Sequence, residues 1–188
     1  MKRFTAILFA VMTTAVAGAP GKPPAGACSL IPATAIQKAF GEAVTNAKPT
    51  YQTSGHLKYS QCFYSLPTFS NSISVSMIAP ARNSDHDAAR ERWNRSFHRE
   101  GDNDADSEER EATANSVPLP NLGDEAFWVH SFVGNLYVLK GNKFLRISIG
   151  GKLTDEERQK RAKALAEAAL YQTSTANTTK SEARTRTK

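Results

Sequence analysis

Four histidines, two cysteines and one group of aromatic side chains hold whatever chemistry this sequence can do. The histidines are His56, His86, His98 and His130. His86 and His98 fall on one expected helix, about 120° apart around its axis, and so share no face. Asp85-His86-Asp87 puts metal-ligand side chains in a row. Acids in a helix's first turn are stabilised by its positive end without any ion, and that reading is preferred. His130 lies near Trp128 and is the histidine kept as a candidate, either as a buried acid–base group or as a hydrogen-bonded structural residue. The chain has no GxSxG elbow, HExxH pair, phosphate loop or dinucleotide fingerprint. Gly150-Gly151-Lys152 lacks the glycine spacing of a phosphate loop. No catalytic residue, metal ligand or cofactor is assigned.

The cysteines are Cys28 and Cys62, and the start of the chain says how to read them. Lys2 and Arg3 precede an uncharged, mostly apolar run from Phe4 to Val16, and Ala15-Val16-Ala17 offers the small residues that signal peptidase reads. Ala17-Gly18-Ala19 would also serve, but Pro20 would follow the cut. The apolar run is shorter than the ~20 residues of a membrane-spanning helix. Residues 1–17 are therefore expected to be a signal peptide, with cleavage preferred over a retained anchor. The mature chain is then periplasmic or extracellular and carries no transmembrane segment. Two cysteines in an exported chain read as one bridge, Cys28–Cys62, closing a loop worth roughly 3–4 kcal/mol in chain entropy. Ala25-Gly26-Ala27-Cys28 partly resembles a lipobox. Pro20, Lys22, Pro23 and Pro24 separate it from the apolar run, and lipidation would leave Cys62 alone, so a lipid anchor at Cys28 is disfavoured. A zinc site would need more ligands than two cysteines.

The elements that must position these residues follow from pattern. Residues 18–27 are a Gly/Pro/Ala-rich leader, and 28–172 are expected to form one α+β domain. Pro32 and Gly41 bracket a first helix. Residues 45–57 read as polar loop with at most a short strand. Strands follow at 59–66 and 72–79, the second alternating Ile73, Val75, Met77 against Ser72, Ser74, Ser76. Ser84 is expected to cap a helix whose Ala89, Trp93 and Phe97 form a stripe, with Gly101 ending it. Residues 101–115 are an acidic loop, Asp102, Asp104, Asp106, Glu108, Glu109 and Glu111 against Arg110. Strands at about 125–132, 135–140 and 143–149 come next, with Gly141-Asn142 as a two-residue turn. Thr154 and Glu157 form a capping box, opening a helix with Ala162, Leu165, Ala166, Ala169 and Leu170 buried. Residues 173–188 carry Lys180, Arg184, Arg186 and Lys188 against Glu182 and are expected to be a disordered basic tail. The order of elements suggests two loosely matching halves of helix and strands, an antiparallel sheet with helices packed on it.

A two-residue turn at Gly134-Asn135 would place Phe127, Val129, Val133, Leu136, Val138, Leu145 and Ile147 on one face. The opposite face would then hold Trp128, His130, Phe132, Tyr137, Leu139 and Phe144, with Arg146 beside Tyr137. Rings on a sheet face need a cover. That is either a helix or loop of the same chain, for example the Trp93/Phe97 helix, which is the preferred reading, or a ligand groove or dimer surface. Trp128, His130, Phe132, Tyr137, Phe144 and Arg146 are accordingly the ligand-binding candidates.

Cys28-Ser29-Leu30-Ile31-Pro32 before a short helix ending Phe40-Gly41, then Cys62-Phe63-Tyr64, Leu122-Gly123-Asp124-Glu125-Ala126 and a final Ala/Leu helix form a further pattern. Over residues 28–171 it resembles exported, often lipid-anchored bacterial domains of unknown function, and more distantly PknH-like extracellular sensor domains of receptor kinases. That resemblance implies an α+β sandwich whose bridge pins the first helix to the sheet, and binding or sensing at the cell envelope rather than chemistry.

Three functions are consistent with these readings. The first is a non-catalytic envelope module that binds a protein or a small apolar ligand, without specific nucleic-acid binding. A second is a small hydrolase with carboxylates converging on His130. The third is a surface protein that grips anionic polymers through its tail. The formal charge of +6, falling to +4 without Lys2 and Arg3, does not choose among them.

Overall fold

The computed structural model of the chain describes residues 26–98 and 115–185. The expected signal peptide, most of the leader, Gly101 and the acidic run 101–114 lie outside the described residues.

Seven antiparallel strands form one sheet: β1 (Asn46–Ser54), β2 (Leu57–Ser65), β3 (Ser72–Pro80), β4 (Ser116–Pro118), β5 (Glu125–Val129), β6 (Asn135–Lys140) and β7 (Lys143–Ile149). Their spatial order is β1-β2-β3-β7-β6-β5-β4. Two meanders therefore meet edge to edge, through pairs such as Val75 with Ile147 and Ile78 with Phe144. Each meander is followed by a helix, α2 (Ala88–Phe97) after β3 and α3 (Asp155–Thr185) after β7. The halves match only loosely, three strands against four, and these two helices lie on opposite faces of the sheet. The chain is an α+β protein with one disulfide.

On the first face, α1 (Ala33–Phe40) and α3 cover Cys62, Tyr64, Ile73, Val75, Leu136, Val138, Leu145 and Ile147. α1 starts after Pro32 and ends at Gly41 in the left-handed conformation. The 3-10 turn Ala27–Ser29 carries Cys28 onto Cys62, with a Cα–Cα separation of 4.9 Å. Ala27 N donates to Ser60 Oγ at 2.8 Å, and the Tyr64 hydroxyl donates to the Cys28 carbonyl at 3.2 Å. Burial pushes the Tyr64 hydroxyl up to about 12. The bridge thus staples the segment leading into α1 to the middle of β2.

α3 begins with the expected box. Glu157 N donates to Thr154 Oγ1 at 3.2 Å, and Thr154 N donates to the Glu157 carboxylate at 2.9 Å. The Thr154 N–H, first, and the Thr154 hydroxyl, which also donates to the carboxylate, hold Glu157 below the usual carboxylate range. Ala162, Leu165, Ala166 and Ala169 are buried against the sheet. The segment 173–188, expected to be a disordered basic tail, continues the helix as far as Thr185; it holds no glycine or proline.

Four other expectations are corrected. Residues 46–54 form a full nine-residue edge strand rather than loop. All nine are exposed, so neither face shows the apolar alternation that marks a strand. Ser84 does not cap α2; it lies in a 3-10 turn, Asn83–Asp85. Asp85 turns back there to Arg82 and to His56, each at 3.0 Å, and the Arg82 hydrogen bond does most to bring it down to about 2. β4, a short second edge, was not expected.

The fourth correction concerns β5. Phe127 pairs with Tyr137, and Trp128 with Leu136. The link from Val129 to Asn135 is a five-residue loop rather than a turn at Gly134-Asn135, and this change of parity exchanges the faces of β5. Trp128 joins the aliphatic face, while Phe127 and Val129 join Tyr137, Leu139 and Phe144. Gly134 fits the loop with φ 61°, packed so tightly on the Trp128 indole that a side chain there would overlap the ring.

Candidate ligand-binding cleft

The six residues grouped by sequence do not form one site. Trp128 is 1% exposed in the aliphatic core and donates its indole N–H to Asp155 at 3.0 Å. His130 is half-exposed beside it, its Nδ1 2.7 Å from Asp155. Phe132 is 98% exposed at the loop tip and touches neither group of aromatics. Only Tyr137, Phe144 and Arg146 share the second face.

That face is covered by the chain itself. Trp93 of α2 is fully buried, its ring 5.6 Å from Phe144 and 5.8 Å from Phe127. Phe97 stacks on Phe127 at 4.6 Å and meets Tyr137 edge-on. The cover observed is the Trp93/Phe97 helix, which packs directly on Phe127, Tyr137 and Phe144. Beside the rings, at Arg146, Asn135 and Ser148, this face turns polar. Arg146 lies 5.7 Å from the Tyr137 ring centroid and donates Nε to Asn135 at 3.1 Å. Asn135 also accepts from Ser148 Oγ and donates to Ser131, a satisfied network around a buried amide.

Open space lies on the first face instead, at the β6–β7 turn. The register pairs Lys140 with Lys143 across Gly141-Asn142. The turn is held from outside by Asp124, which accepts from Gly141 N at 2.6 Å and from Lys140 Nζ at 2.8 Å. The Lys140 and Gly141 hydrogen bonds, in that order, hold Asp124 below the usual carboxylate range. Arg90 of α2 donates to the Gly141 carbonyl at 2.9 Å. Asp124 can reach the turn because Gly123, at φ 69°, packs against the Leu139 carbonyl and Val138 where no side chain fits.

Behind the braced turn is a cleft of about 350 Å³. Met77, Val138 and Leu145 from three strands, Ala169 and Leu170 from α3, and Leu30 before α1 make its apolar walls. Lys140, Asn142 and Lys143 line its mouth. Concave, apolar space with a few polar groups at one end is the usual form of a small-molecule site. Sequence reading placed these apolar residues in the core and missed the cleft. Its signal was limited to the two lysines flanking the turn.

Among the described residues, no group of three or more His, Cys, Asp or Glu side chains could hold a metal ion. No described helix is long and apolar enough to cross a membrane. No protein family, curated protein or solved structure matches this chain.

Proposed function

We propose that the chain is a non-catalytic binding or sensing module, exported to the cell envelope, whose ligand enters the cleft behind the β6–β7 turn. The observation that carries this is the 350 Å³ apolar space with its lysine-lined mouth. The disulfide fits an oxidising compartment, in keeping with the signal-like start of the chain. The resemblance to extracellular sensor domains points the same way. Titration with the fluorescent anilinonaphthalene sulfonate tests it. One probe should bind per chain, and filling the cleft with Met77→Trp or Leu170→Trp should weaken binding at least about tenfold, about 1.4 kcal/mol. Undiminished binding in both folded variants would remove the cleft as the site.

One observation favours the hydrolase reading: Asp155 does converge on His130. Asp155 also holds the buried Trp128 indole, and the cleft is at the opposite end of β6, so the pair reads better as the rim of the core. Ester hydrolysis lost in a folded His130→Ala variant would reverse that preference.

A further inference from the structure

The cleft's polar groups are unequal, and the inequality points to a ligand class. Lys140 is bound to Asp124, and Arg90 lies 3.9 Å from the same carboxylate while donating to the turn. Lys143, on the other arm of the hairpin, has no carboxylate within ion-pair distance among the described residues. Among the described residues, Lys143 is therefore the cation at the mouth without an acid beside it, next to the Asn142 carboxamide, on a turn whose position Asp124 and Arg90 fix.

The walls set the other half of the specificity. Leu30, Met77, Val138, Leu145, Ala169 and Leu170 present aliphatic side chains. A sugar or nucleotide placed among them would bury hydroxyls without partners, at a cost of about 1–3 kcal/mol each. An alkyl chain has no such cost and gains about 0.8 kcal/mol per buried methylene. The volume is at the small end of ligand sites, about 300–1,000 Å³, which suits one short chain better than a two-chain lipid.

Building on the binding reading above, we propose that the cleft takes a single-chain amphipathic monoanion, a medium-chain fatty acid, with the alkyl chain inside and the carboxylate on Lys143. Lys143 selects the charged head, and the walls select the chain.

Calorimetric titration of the full chain with decanoate, decanol and decyltrimethylammonium tests each half. Decanoate should bind about tenfold tighter than decanol, as for one partly exposed charge-assisted contact, and decyltrimethylammonium weakest. Lys143→Gln should abolish the preference for decanoate while leaving decanol binding in place, and Lys143→Arg should restore it. Equal affinity for decanoate and decanol, or an unchanged preference in Lys143→Gln, would overturn the head-group assignment. If anilinonaphthalene sulfonate binds in the cleft and none of the alkyl compounds does, the fatty-acid class is wrong and the module reading stands. If neither binds, the module reading itself fails.

Discussion

The two faces of the sheet bury one tryptophan each and solve the same problem in opposite ways. On the second face the ring belongs to a helix and the acid to a strand: Trp93 of α2 donates to Glu125 of β5 at 3.1 Å, and His98 meets the same oxygen at 2.6 Å. On the first face the ring belongs to a strand and the acid to a helix: Trp128 of β5 donates to Asp155 of α3, beside His130. A buried indole N–H needs an acceptor, and a carboxylate at the edge of the core supplies one while keeping contact with water. Each Trp–acid–His group also joins a helix to the sheet. The helices they join differ. α2 has ten residues, below the length at which an isolated helix is stable in water, so its order depends on Trp93 and Phe97. α3 has its own capping box and packs against both the sheet and α1.

The difference predicts unequal cooperativity. Trp128→Ala should have the largest effect, a global loss of about 3–5 kcal/mol in denaturant unfolding, since the ring fills the core beneath α3. Trp93→Ala removes as large a ring but should act first on α2, whose amides should lose hydrogen-exchange protection before those of β2, β3 and β7. Equal loss of protection throughout the sheet would show that both faces unfold as one unit. Next in size is the staple, which ties down the first face. Cys28→Ala with Cys62→Ala should cost roughly 3–4 kcal/mol from loop closure. Exchange at the 3-10 turn and α1 should rise, with α2 protection changing no more than global stability requires. An increase confined to α2 would refute this assignment.

Much of this comparison was legible in the sequence, and the illegible parts share a cause. Gly141-Asn142 set the β6–β7 register because a two-residue turn leaves no freedom of parity. The Thr154/Glu157 box was readable because its partners are three residues apart. The helix covering Tyr137 and Phe144 could be named because Ala89, Trp93 and Phe97 repeat at helical spacing. Loop 130–134 has no such local rule. Its length sets the parity of β5, and a misplaced turn moved Trp128 to the wrong face. The bracing role of Asp124 was also hidden, because its partner Gly141 is far along the chain. β1 has no buried face to leave a pattern. The cleft is space between residues that each read as ordinary core, and a one-dimensional pattern does not register a void.

The two acids give the finest test. Burial pushes the Glu125 carboxyl up, but hydrogen bonds from Trp93 and His98 outweigh it, and the group settles below its ordinary 4.5. A carboxylate whose folded pKa is lowered adds stability above its unfolded value and loses it as pH falls through the folded one. The Trp93 face should therefore weaken from about pH 4.5 downward. Glu125→Gln keeps an oxygen for the indole but removes the titration, so its stability loss between about pH 7 and pH 3 should be smaller than that of the unaltered chain. The carboxylate is about a third exposed, and solvent screening limits the difference to a few tenths of a kcal/mol. Urea midpoints at both pH values resolve it best with α2 exchange followed in parallel, because the weakening should appear there first. An identical acid loss in both proteins would show that the Glu125 charge does not help to hold α2 on the sheet, leaving that task to the rings of Trp93 and Phe97.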